Sequence, residues 1–143
     1  MKESDALIRE LQAACDAEAV RQLGEGVVAR WKDPRHMGVM PEPSITTKAG
    51  GACGDTLTIF LRIEGDRVTE ASFLADGCGS SVVCADAAME LVRGMTLDQA
   101  AALDAAAILA RLGGLPKDKE KSARSAARAV RQAVLEHRNR AGG

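Results

Sequence analysis

Apolar positions along this chain change their spacing twice. Up to about residue 32 they recur as on a helix. Ala6, Leu7, Leu11 and Ala14 follow a Ser4 or Asp5 cap. Val27, Val28 and Trp31 then line a second short helix, Gly26 to Lys32, where all three should be buried. Pro34 stops that helix, because the residue before a proline is disfavoured in the α region. Residues 39–51, with Pro41, Pro43, Gly50, Gly51 and scattered polar side chains, read as a mobile loop. From Asp55 to Ile63 the period becomes two: Leu57, Ile59, Leu61 and Ile63 alternate with Thr56, Thr58, Phe60 and Arg62. Glu64-Gly65-Asp66 supplies a turn, and Arg67 to Ala75 returns as a second strand whose mixed pattern predicts a bulge or a less regular edge. The two runs form an antiparallel hairpin that needs helices to cover it.

From Gly79 onward the helical period returns. Ser80 to Arg93 places Val82, Val83, Ala87, Leu91 and Val92 at helical spacings, with Gly94 as C-cap. Thr96 and Gln99 form a capping box for Leu97 to Leu103. Asp104 caps Ala105 to Leu112, and Gly113-Gly114 ends it. Leu115-Pro116 opens a final helix through about Arg138. Ala123, Ala126, Ala127, Val130, Ala133 and Val134 form its buried stripe, while Arg124, Arg128, Arg131 and Arg138 face water. Strands followed by helices define an α+β fold, a small antiparallel sheet covered on one face by helices. The expected domain spans residues 26–138, with a helical extension over 1–25 and a disordered tail over 139–143.

Composition narrows the function. Nineteen Lys and Arg against twenty Asp and Glu leave a net charge of −1, without the basic footprint of a general nucleic-acid binder. Two Phe, one Trp and no Tyr cannot build rows of base-stacking platforms. No run approaches the ~18 apolar residues of a membrane span. The start, Met1-Lys2-Glu3-Ser4-Asp5, lacks the pattern of a signal peptide. A cytoplasmic protein is expected, with neither nucleic acid nor membrane as partner. The two histidines, His36 and His137, are peripheral and give no Ser–His–Asp or Cys–His arrangement, and no P-loop occurs. An enzyme is not expected.

The four cysteines are Cys15, Cys53, Cys78 and Cys84. In a chain that can fold without staples and shows no export signal, metal or redox chemistry is favoured over disulfides. Cys53 lies in Gly50-Gly51-Ala52-Cys53-Gly54-Asp55, just before the first strand. Cys78 lies in Asp76-Gly77-Cys78-Gly79-Ser80-Ser81, between the return strand and a helix start. The entry of one hairpin strand and the exit of its partner share one end of the sheet, so the two thiols should meet. Flanking glycines let the backbone approach a ligand, and the helix start favours the Cys78 thiolate. Asp55 adds a carboxylate to the same rim. Such a set suits zinc or an iron–sulfur cluster, and spacing alone does not choose. Cys84 either joins the site or packs against the sheet, and Cys15 reads as a packing residue.

These segments resemble the iron–sulfur cluster assembly scaffolds of the IscU / NifU N-terminal type. Gly51-Ala52-Cys53-Gly54-Asp55 and Asp76-Gly77-Cys78-Gly79-Ser80-Ser81 look like the two cysteine motifs of that family. Asp33-Pro34-Arg35-His36-Met37-Gly38 looks like its Asn-Pro-Arg-x-x-Gly segment. Glu90-Leu91-Val92-Arg93-Gly94-Met95-Thr96-Leu97-Asp98-Gln99-Ala100 is similar to its stretch between helices, and Leu115-Pro116 to the start of its final helix.

The resemblance implies a scaffold that binds iron, builds a [2Fe–2S] or [4Fe–4S] cluster and hands it to recipient apoproteins. It also implies a cysteine desulfurase as sulfur donor. Cys53 and Cys78 would be two of three cysteine ligands, with Asp55 a weaker one that keeps the cluster labile. The family places His-Cys shortly after Leu-Pro, and here those positions hold Lys121 and Ser122. Serine is a poor iron ligand, and a charged lysine has no lone pair to give. Cys84, a second copy in a homodimer or an external thiol would have to complete the site. The alternatives are a cluster-deficient regulator or adaptor of the desulfurase or scaffold, and a zinc form on Cys53, Asp55 and Cys78.

Overall fold

The structure, a computed structural model, describes residues 24–51, 54–76 and 79–142. The expected helix over residues 6–14, with Cys15, therefore lies outside the described residues, as do Cys53 and Cys78. Helix α1 (Glu25–Lys32) comes first, then strands β1 (Ile45–Gly50), β2 (Thr56–Glu64) and β3 (Arg67–Ala75). Helices α2 (Gly79–Val92), α3 (Leu97–Ala101) and α4 (Ala105–Leu112) follow. A 3₁₀ turn (Lys117–Lys119) leads into α5 (Glu120–Gly142). The strands form one antiparallel sheet in the order β1-β2-β3.

The period of two in β2 has its physical consequence in burial. Leu57, Ile59 and Leu61 are at most 1% exposed and meet Phe73 and Val68 of β3 beneath α2 and α5. The expected irregularity is a register shift between Arg62 and Ile63. The alanine-rich stripe of α5 lies wholly in the core, from Ala123 to Val134. Small side chains let this helix seat closely against β1, β2 and α2. The Thr96–Gln99 capping box and the Asp104 cap are both formed.

Four expectations change. Residues 39–51 are not all loop, because Ile45–Gly50 pairs with β2, Ile45 opposite Leu61 and Gly50 opposite Thr56. Its inward residue Thr47 is polar yet only 2% exposed, its hydroxyl donating to Glu136 of α5 at 2.7 Å. That bond, then one from Gln132, holds the Glu136 carboxyl below the usual carboxylate range. Trp31 is not in the core but 41% exposed, because α1 packs at the margin of α2 through Val27 and Val28. The last helix begins as a 3₁₀ turn after Pro116, and residues 139–142, expected as a disordered tail, continue α5. Phe60, on the outward face of β2, is also buried. On that face Arg62 donates to the Pro41 carbonyl, so the connection from α1 to β1 covers part of it.

Candidate functional site

Register fixes where the two cysteine segments emerge. Gly50 pairs with Thr56, so Gly51 and Asp55 flank the turn from β1 to β2. The Gly51 N–H donates to the Asp55 carbonyl at 2.8 Å and closes that turn. Leu57 pairs with Ala75, so β3 ends beside the start of β2. One further bond ties the start of β2 to the segment after β3: the Thr56 N–H donates to the Asp76 carboxylate at 2.8 Å. Cys53 stands three residues before Thr56 and Cys78 two after Asp76. Their flanks thus share one end of the sheet, as the hairpin argument requires, although both thiols lie outside the described residues.

Asp55 is half-buried and turned back over Gly51. A Cβ built on Gly51 would lie 2.6 Å from the Asp55 Cγ, so glycine leaves the space that this carboxylate fills. Among the described residues no three His, Cys, Asp or Glu side chains are grouped to hold a metal. Of the expected ligands at this rim, the described residues include Asp55 alone.

The other expected positions divide clearly. Cys84, expected among the cofactor-binding residues, sits inside α2 at 0% exposure, within the main core. Burial pushes its thiol up to about 12, so at neutral pH it is protonated and sealed from the rim. Ser122 is 1% exposed in the first turn of α5, its hydroxyl 3.0 Å from that of Ser80 in the first turn of α2. Ser122, expected at the third-cysteine position, thus meets the first turn of α2. Lys121, beside it, faces water.

One feature escaped the sequence reading. Asp86 of α2 is 1% exposed, and its carboxylate accepts from Arg30 Nη1 and from the His36 backbone N–H, each at 2.8 Å. Arg30 also pairs with Glu90 at 2.8 Å, and Glu90 pairs with Arg111 of α4. Arg111 first, then Arg30, holds the Glu90 carboxyl down to about 2. The Asp33-Pro34-Arg35-His36-Met37-Gly38 segment is thereby anchored to α2. It also runs along the outer edge of β3, with Gly38 N–H donating to Phe73 at 2.8 Å and Phe73 N–H to His36 at 3.0 Å. An acid buried in mid-helix facing an arginine fifty-six positions away was the available signal, and no local pattern connects them.

Comparison with known proteins identifies the family and the fold. The profile described as "NifU-like N terminal domain" matches residues 23–142, and the chain belongs to that family. It is similar to the iron-sulfur cluster assembly protein IscU of Plasmodium falciparum, 32% identical over 130 residues that cover 88% of this chain and 80% of that one. It is also similar to the iron-sulfur cluster assembly scaffold protein IscU 1 of Archaeoglobus fulgidus, 29% identical over 112 residues, covering 78% and 73%. The crystal structure of a nitrogen-fixing NifU-like protein (N-terminal) from Brucella abortus shares the fold. Its TM-score is 0.62 at 16% identity, over 80% of this chain and 93% of that one.

Proposed function

We propose that this chain is an iron–sulfur cluster assembly scaffold: it receives iron and sulfur, holds a [2Fe–2S] or [4Fe–4S] cluster transiently and passes it to apoproteins. The observation that carries this reading is the hydrogen bond from Thr56 to Asp76, which joins the flanks of Cys53 and Cys78 at one end of the sheet. Cys53 and Cys78 act as thiolate ligands to iron and Asp55 as a harder, weaker oxygen ligand. A cargo site needs such a set, because a closed four-thiolate cage would retain its cluster. The protein acts as a carrier, not an enzyme, in the cytoplasm, with a cysteine desulfurase supplying sulfur. No helix among the described residues is long and apolar enough to cross a membrane.

Ser122 and Cys84 favour a second reading. With a sealed hydroxyl where the family pattern has cysteine and the nearby thiol deep in the core, few ligands are at hand. In this reading the chain has lost cluster assembly and acts as an adaptor of the desulfurase or of another scaffold, or holds zinc.

Iron and acid-labile sulfide, measured on anaerobically purified protein before and after reconstitution, separate the two. The scaffold reading expects iron and sulfide in equal amounts, lost in Cys53→Ser and in Cys78→Ser but kept in Cys15→Ser. Both mutants holding as much as the unmodified chain would end it. Zinc alone, or a desulfurase complex without iron uptake, selects the second reading.

A further inference from the structure

The outer edge of β3 is bonded at two points and open between them. The Val68 N–H donates to the Met95 carbonyl and the Gly94 N–H to the Val68 carbonyl, while Phe73 is bonded to His36 and Gly38. Ala71 stands two positions before Phe73, so its N–H and C=O face the same edge. Among the described residues neither group has a hydrogen-bond partner. The next residue, Ser72, lies opposite Phe60 on the outward face. Its Oγ is buried and also without a partner among the described residues. A buried hydroxyl in that state is costly unless a ligand or solvent comes to it.

Ala71 and Ser72 line one cavity of about 360 Å³ between the 35–41 segment and β3. Met37, Val39 and Met40 give it an apolar wall, and Arg35 and Arg93 bring two positive charges. Neither arginine is paired with a described carboxylate. Asp86 and Glu90, in the adjoining cleft, are held by Arg30 and Arg111. Glu70 lines the cavity as well and gives one of its oxygens to Arg62 at 2.8 Å.

We propose that this cavity binds a free α-amino acid with an apolar side chain. Its carboxylate is met by Arg93, Arg35, the Ser72 hydroxyl and the Ala71 N–H. Its ammonium is met by the Ala71 carbonyl and the second oxygen of Glu70, and its side chain by Met37, Val39 and Met40. Every open group of the cavity then has a partner. An inorganic anion would leave the apolar wall and the Ala71 carbonyl unused, and a hydrocarbon would leave Ser72 and the arginines unmatched. The site shares no residue with the expected cluster ligands and stands whether or not the scaffold reading holds.

The test titrates the ¹⁵N-labelled full-length chain with L-leucine and follows the amide resonances of Ala71, Ser72 and Phe73. Saturable shifts centred on these residues are expected. Leucinamide, which lacks the carboxylate, and N-acetyl-L-leucine, which lacks the ammonium, should each bind at least about tenfold more weakly, the worth of one charge-assisted contact. Arg93→Ala should weaken leucine about tenfold and Ser72→Ala about threefold, while Arg124→Ala, on α5, should leave it unchanged. The remaining resonances report whether each variant is folded, and Arg35→Ala gives a second reading if Arg93→Ala is not. No saturable shift up to the solubility of leucine overturns the proposal and leaves Ser72 to solvent. Equal binding of inorganic phosphate also overturns it, as a plain anion site, and so does N-acetyl-L-leucine binding as tightly as leucine, as a seat for a peptide chain end.

Discussion

The hydroxyls of Ser80 and Ser122 lie 3.0 Å apart, both buried, and join the first turn of α2 to the first turn of α5. Ser122 is the position to which the family resemblance assigns a third cysteine.

Ser122→Cys should therefore restore a ligand, and with Lys121→His it should raise the iron retained after reconstitution. An unchanged yield would show that position 122 does not face the cargo. Ser122→Ala should keep the iron content of the unmodified chain and lower stability by about 1 kcal/mol, the usual worth of one buried hydrogen bond. Urea unfolding measures that loss.

Asp86 connects α1, the 33–38 segment and α2 through two hydrogen bonds to one buried carboxylate. Asp86→Ala removes an acceptor from a charged donor and from an amide, and should cost about 2–4 kcal/mol in urea unfolding. Hydrogen exchange at the His36 amide should accelerate in the same variant. A loss under about 0.5 kcal/mol, the range of ordinary surface changes, would mean the network carries no stability.

Glu90 gives the pH dependence a definite sign. Its carboxyl is lowered from 4.5 to about 2, by Arg111 first and then by Arg30. A lowered carboxyl contributes stability that is fully present above its unfolded value and is lost as pH falls through the folded one. The difference in stability between the unmodified chain and Glu90→Gln should therefore be constant above 4.5 and shrink toward about 2. Both Glu90 and Arg111 are substantially open to solvent, so raised salt should reduce that difference. Denaturant midpoints across this range check it, and a gap that grows on acidification would contradict it.

Cys84 should behave as a core side chain. Its thiol, pushed up to about 12 by burial, should label with iodoacetamide only after denaturation. Cys84→Ala should leave iron and sulfide content unchanged. Cys84→Ser should cost roughly 1–3 kcal/mol, because it buries a hydroxyl among apolar groups. Loss of iron in a folded Cys84→Ala protein would instead assign Cys84 to the site.

What the sequence made legible follows from how local each signal is. The β2 alternation, the Thr96–Gln99 box, the Asp104 cap and the α5 stripe are each contained in a few turns or one strand, and each is found where expected. Strand β1 was hidden because Ile45-Thr46-Thr47-Lys48-Ala49-Gly50 has polar Thr47 on its buried face, satisfied by Glu136 eighty-nine positions away. Trp31 was misplaced because helical spacing says which side of a helix is apolar, and not how far a neighbour extends over it. At the site, hairpin spacing sufficed to bring the Cys53 and Cys78 flanks together. The anchoring of residues 33–38 by Asp86 depended on tertiary packing that no local pattern encodes.

Gly51 and Asp55 use a single volume between them, the missing side chain of one being the seat of the other's carboxylate. Two positions four apart are therefore coupled through one space. A side chain gained at 51 displaces the carboxylate at 55 from its seat, and loss of the acid opens the space over 51. In a library randomised at both positions, selection for the acid should recover glycine without any direct selection on it.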